Sequence, residues 1–263
     1  MTTLSWTVAD SATMLRRNLK HALRYPSLTI IVAAMPIVFL LLFVFVFGGT
    51  LGAGLGGASG GRAEYAEYLT PGLLVLAIAA AAQGTAISIA MDMTEGIISR
   101  FRTMSISRAA VLAGHVVGAV VQTMIGLALV LGAAVGVGFR PDAGVVEWLA
   151  AIGFLALVSL ALSWLSVAMG LATKTVEAAS NVPMPLLLLP FFGSGFVPTD
   201  SMPAGLRWFA EHQPFTPIIE TLRGLLTGTA IGSTGAVAVA WCVAFTVVGW
   251  LWARRNYENR PAR

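Results

Sequence analysis

The chain has 263 residues, of which 57% are hydrophobic and only 11% charged, whereas a soluble domain carries roughly a quarter charged residues. So few charges cannot clothe a water-facing surface. The formal net charge of +4 comes from short basic groups between long apolar runs, which excludes a nucleic-acid-binding stripe.

The amino-terminal segment, residues 1–27, comes first. Ala12, Leu15, Leu19 and Ala22 or Leu23 recur at helical spacing, while Arg17, Lys20 and Arg24 fall on another face. This predicts a basic amphipathic helix ending at Tyr25 and Pro26. It would lie along the inner leaflet with Arg16, Arg17, Lys20 and Arg24 near anionic lipid headgroups. An ordinary juxtamembrane extension is the alternative. The apolar run that follows is too long for the core of a secretory signal and reads as an uncleaved anchor.

Six stretches without Asp, Glu, Lys or Arg are long enough to cross about 30 Å of hydrocarbon. They run from Leu28 to Phe47, Tyr68 to Met91, Ala109 to Phe139, Trp148 to Thr173, Ala178 to Thr199 and Gly224 to Ala253. The first holds fifteen Leu, Ile, Val and Phe residues, an insertion free energy of at most roughly −4 to −9 kcal/mol. The fifth is interrupted by Pro183, Pro185 and Pro190, each removing a backbone donor. A broken span needs neighbouring helices or an aqueous cavity to satisfy the freed groups.

Orientation follows from Lys and Arg. With both termini in the cytoplasm, twelve basic residues lie inside and only Arg62, Arg140, Arg207 and Arg223 lie outside, as the positive-inside rule requires. An odd number of spans would put Arg254, Arg255, Arg260 and Arg263 outside.

Between the second and third spans, Ile97, Ile98, Phe101 and Met104 share one helical face. Thr94 is placed to cap the start, and acids precede arginines, as the macrodipole favours. Glu95, Arg100 and Arg102 are then free to meet a cytoplasmic partner. A solvated loop whose arginines only enforce topology is equally open. Outside, Gly48 to Gly61 is glycine-rich and reads as a mobile loop. After the fifth span, Leu206 to Ala210 and Ile218 to Leu226 form two short amphipathic pieces divided by Pro214, Phe215, Thr216 and Pro217. They are too apolar for free loops and too charged to span, which suits two helices dipping into the outer leaflet.

Catalytic chemistry has no foothold. A Walker-type phosphate loop needs glycine directly before lysine, and neither lysine, Lys20 or Lys174, has one. His21, His115 and His212 are distant in sequence and fall on different sides of the bilayer, which argues against a metal cluster. The single cysteine, Cys242, sits in an apolar run and offers neither disulfide nor thiolate site. Every carboxylate lies at or beyond a span's end, unlike the buried relays of proton-driven carriers. His115 and Gln122, the main polar groups of the third span, read as helix-to-helix hydrogen bonders. The pairs Gly114/Gly118 and Gly132/Gly136 have the spacing for close helix approach. Phe39, Phe43, Met124 and Trp164 could meet a greasy substrate, lipid or the core.

Glu95 and Gly96 through Arg100 and Phe101 to Arg108, together with Phe196, Val197, Pro198, Met202, Pro203, Gln213, Pro214, Phe215, Thr216, Pro217 and Arg223, resemble the type-2 ABC exporter permeases. The resemblance is strongest to their actinobacterial daunorubicin and multidrug-resistance branch. The six-span pattern covers nearly the whole chain, the motifs about a quarter of it.

The resemblance implies an all-α integral membrane protein, a single transmembrane domain over 1–263. It comprises an interface helix (1–27), spans one to five (28–199), an extracellular re-entrant hairpin (200–230), the sixth span (231–253) and a cytoplasmic tail (254–263). It further implies a non-catalytic permease in the cell membrane, exporting a hydrophobic drug, lipid or secondary metabolite. Antibiotic resistance by efflux would be one outcome. Two ATP-binding-cassette subunits would bind the ATP and magnesium, so this chain needs no cofactor. A second permease, identical or not, would complete the transporter. Residues 94–104, with Glu95, Gly96, Ile97, Arg100, Phe101 and Arg102, would form the coupling helix. Phe196, Pro198, Met202, Pro214, Pro217 and Arg223 would belong to the outer gate. Rival readings are an ion-coupled secondary carrier and a membrane scaffold or immunity protein that moves nothing.

Overall fold

A computed structural model describes residues 26–53, 61–94 and 108–259, and no strand occurs among them. Helix α1 (Pro26–Leu42) passes through a π-helical turn, Phe43–Phe47, into α2 (Gly48–Ala53). The glycine-rich stretch expected to be a loop therefore begins as helix. Extending the ladder of hydrogen bonds keeps backbone groups satisfied beside an apolar span. At Gly52 a side chain would strike the backbone of Gly61, so the chain doubles back closely here.

Helix α3 (Arg62–Thr94) has 33 residues, about 50 Å at 1.5 Å per residue. It is the central post, far more deeply buried than the last helix. Its final residue is Thr94, whose hydroxyl donates back to the Met91 carbonyl at 2.9 Å. The helix that Thr94 was expected to open lies outside the described residues.

Helix α4 (Arg108–Val137) ends at Gly138, whose φ of +124° suits glycine. Arg140 then donates to the Val135 carbonyl at 2.8 Å and the Phe139 carbonyl at 3.1 Å, satisfying orphaned acceptors of the helix end. Helix α5 (Val145–Ala172) packs on α3 where Gly170 lies against Ala86. The last helix, α10 (Thr234–Asn259), packs on α5 where Gly249 lies against Trp164 and Leu165. Close approach depends on those glycines, and a Cβ at Gly132 or Gly136 meets nothing within 4 Å. Among the described residues of this chain, nothing packs closely on the Gly132/Gly136 pair.

The proline-rich fifth stretch is broken, as its sequence implies. It forms α6 (Val176–Asn181), α7 (Met184–Leu188) and a 3-10 turn, Leu189–Phe192. Thr175 caps α6 by accepting from the Ala178 amide at 3.2 Å, and Gln83 of α3 donates to the Ser180 carbonyl at 2.6 Å. The described residues thus contain five helices long and apolar enough to cross a membrane, and a shorter apolar run at Val176–Phe192. After a 3-10 turn at Thr199–Ser201 come α8 (Ala204–His212) and α9 (Phe215–Thr227). Gly228, at φ +69°, ends α9.

Candidate functional site at the outer hairpin

Most of α9 is buried. Phe215, Ile219 and Leu222 show no exposed surface, so the second amphipathic piece is a docked helix longer than its sequence limits suggested. Helix α8 is different: Leu206, Trp208 and Phe209 are exposed and only Ala210 is buried. Arg207 on α8 pairs with Asp200 and Glu211 at 2.6 and 2.7 Å. The hydrogen bond that Arg207 donates to Glu211, then the nearby Asp200 charge, pushes its pKa further up. Gln213 and Pro214 join the two helices.

Between the broken span and this hairpin, Gly193, Ser194, Gly195 and Phe196 run as irregular, buried backbone against α3. Such a segment survives at membrane depth only if its carbonyls find donors, and side chains supply them. Tyr68 donates to the Ser194 carbonyl at 2.8 Å and Tyr65 to the Phe196 carbonyl at 3.3 Å. Arg223, reaching from α9, donates through Nη2 to the Ser194 carbonyl at 2.7 Å and the Tyr68 carbonyl at 3.2 Å. Its guanidinium carbon lies 4.0 Å from the centre of the Tyr68 ring, a cation–π contact. Nη1 pairs with Glu220 one turn back. Pro71 helps locally, because its missing N–H interrupts the backbone ladder of α3 next to this point.

Two close approaches lock the segment. A Cβ at Gly72 would lie 2.5 Å from the Gly195 carbonyl oxygen and 2.7 Å from its Cα. A side chain at Gly193 would collide with Gln213 Nε2, which donates to the Leu189 carbonyl at 3.3 Å. Thr216 donates to the Ala210 carbonyl, tying α9 to α8.

An aromatic ladder borders the same segment. Phe191 and Phe196 stack with centroids 4.5 Å apart and planes 11° apart. Phe43 lies 5.3 Å from Phe196, and Phe39 lies 5.9 Å from Phe191. Phe43 opens the π-helical turn, a feature common at functional sites. Phe39 and Phe43 therefore pack against one another and the broken span.

Of the expected gate residues, Arg223 is the hub and Phe196 is held beside it. Pro214 begins α9, and Pro217 lies buried in its first turn, accepting from the Thr221 hydroxyl at 2.7 Å. Pro198 and Met202 flank the 3-10 turn Thr199–Ser201, and neither is among the groups that Arg223 bonds. Sequence reading missed Tyr65, Tyr68, Ser194 and Gly72. The dyad Tyr65 and Tyr68, one turn apart at the outer edge of a span, was the available signal. Glu95, Gly96, Ile97, Arg100, Phe101, Arg102 and the basic residues Arg16, Arg17, Lys20 and Arg24 lie outside the described residues. His115, expected to bond between helices, does so: its Nε2 is 3.2 Å from Asp92 Oδ2 on α3.

Among the described residues no group of three His, Cys, Asp or Glu could hold a metal. The arrangement is mechanical, a hairpin and a broken helix fastened to a central post. The fold is that of a multi-pass helical membrane protein, and residues 11–227 match the ABC-2 type transporter family, to which the chain belongs.

Relatives narrow the branch. The chain is 29% identical over 260 residues to the daunorubicin resistance ABC transporter permease protein DrrB1 of Streptomyces coeruleorubidus, covering 97% of this chain and 88% of that one. It is 29% identical over 224 residues to the doxorubicin resistance ABC transporter permease protein DrrB of Mycobacterium tuberculosis, covering 83% of this chain and 75% of that one. The probable doxorubicin resistance ABC transporter permease protein DrrC of the same organism is 25% identical over 177 residues, 66% of this chain and 64% of that one. The chain is a multi-pass protein of the cell membrane, homologous to drug-resistance ABC permeases.

Proposed function

We propose that this chain is the permease subunit of an ATP-driven exporter that carries a planar, hydrophobic drug or metabolite outward. The observation that carries the proposal is the bracket of Arg223, Tyr68 and Ser194, which fastens a re-entrant hairpin over a broken span within a chain of the ABC-2 family. The names of the relatives, with their daunorubicin and doxorubicin, support an aromatic polycycle as substrate. The ladder of Phe39, Phe43, Phe191 and Phe196 offers flat apolar surface of matching character.

Energy comes from a separate ATP-binding-cassette subunit, present in two copies, which binds ATP and magnesium. It engages the cytoplasmic segment 94–104 through Glu95, Gly96, Ile97, Arg100, Phe101 and Arg102. Arg16, Arg17, Lys20 and Arg24 lie along the inner leaflet beside it. A second permease completes the pathway. Affinity purification of the tagged permease from native membranes tests this reading. A cassette ATPase should co-purify, and Glu95→Ala or Arg100→Glu should uncouple its hydrolysis from transport while expression holds. Purification without any ATPase, or full transport by both variants, contradicts it.

A further inference from the structure

The segment assigned to the ATPase connects α3 to α4 in sequence, and a polar contact joins the two helices near those ends. Asp92 stands two residues before the end of α3, and His115 seven residues into α4. The carboxylate and the imidazole meet at 3.2 Å, with side-chain exposures of 15% and 9%. Around them lies a second apolar cluster, separate from the main core, comprising Ile89, Leu112, Val116, Val167, Ala168, Leu171, Ala253 and Tyr257.

Apolar packing alone permits two helices to slide by fractions of a turn at modest cost. A specific imidazole–carboxylate contact resists that slide, because the slide breaks it where solvent is largely excluded. The contact holds for neutral imidazole, whose Nε2–H donates, and for imidazolium. Resting on the coupling role of 94–104, we infer that Asp92 and His115 are positioning residues: they pin α3 to α4 so that a push on the intervening segment moves both helices as one body.

The experiment uses the full complex of permease and co-purified ATPase in inside-out vesicles, with doxorubicin as probe. Asp92→Asn, His115→Leu and the exchange Asp92→His with His115→Asp are compared with wild type. Both single variants should keep the ATPase bound and its basal hydrolysis within about twofold. Their maximal doxorubicin uptake should fall about tenfold, the size expected for losing one charge-assisted hydrogen bond, with half-saturation unchanged. The exchange should recover at least half of the lost rate, which a merely space-filling role would not produce.

Wild-type uptake by both single variants, or an exchange no better than His115→Leu, overturns the pin. If a single variant fails to accumulate, the exchange variant decides on its own rate. Arg100→Glu runs in parallel. If it transports normally, the coupling reading fails and the pin with it; if it uncouples while Asp92→Asn and His115→Leu do not, the pin alone fails.

Discussion

Arg223 donates to the carbonyl of Ser194 at 2.7 Å while its guanidinium lies 4.0 Å from the centre of the Tyr68 ring. One side chain thus joins α9, α3 and the irregular segment after the broken span. Its planar fork serves two carbonyls and Glu220 at once, which a lysine ammonium on a flexible stem cannot reproduce.

Replacing Arg223 by Ala should therefore unfasten the hairpin. Hydrogen bonds to a charged group contribute about 1.5–3 kcal/mol each; two carbonyls would lose the guanidinium, that of Ser194 keeping only the Tyr68 hydroxyl. A loss of roughly 2–4 kcal/mol is expected, with Arg223→Lys recovering less than half. Thermal unfolding followed by tryptophan fluorescence in detergent measures it; an unchanged midpoint for Arg223→Ala rejects the bracket.

Glycine contacts provide an internal comparison. Gly72→Ala forces a methyl to 2.5 Å from the Gly195 carbonyl oxygen, backbone that cannot step aside alone, whereas Gly132→Ala meets nothing within 4 Å. The first should lower the unfolding midpoint and open the hairpin to added protease. The second should match wild type or exceed it slightly through better helix propensity.

The aromatic ladder predicts a change in affinity. Phe43→Ala removes the ring between Phe39, Phe47 and Phe196. Half-saturation for doxorubicin should rise about three- to tenfold, the scale of an aromatic contact of roughly 0.5–1.5 kcal/mol. Transport kinetics with Phe43→Leu as control distinguish ring loss from volume loss.

Topology can be read with little background, because the native Cys242 is fully buried. A cysteine introduced at Gly205, on the exposed start of α8, should react with impermeant maleimide in intact cells. One at Asn259 should react only after the membrane is opened. Labelling of Asn259→Cys from outside rejects the six-crossing arrangement.

The long spans were legible because charge is missing over blocks of membrane length, and hydrocarbon imposes that pattern whatever the tertiary contacts. The break in the fifth stretch was legible too, since three prolines cannot continue a ladder. The bracket was only half visible. Arg223 and Phe196 stand in motifs, but Tyr65 and Tyr68 acquire their role from a partner more than a hundred residues away. Gly132 and Gly136 show the converse. Local spacing suggested an intimate contact, while the long helices α3, α5 and α10 approach one another at Gly170 and Gly249, which belong to no such pair. Gly48, Gly49 and Gly52 continue a helix because the apolar span before them leaves the backbone no better donors.

Doxorubicin uptake into inside-out vesicles containing the permease and its co-purified ATPase addresses the central claim directly. Uptake should require ATP with magnesium, stop with a non-hydrolysable analogue, and persist when an uncoupler abolishes the proton gradient. Uptake that continues without ATP and collapses with the uncoupler would identify an ion-coupled carrier and contradict the account.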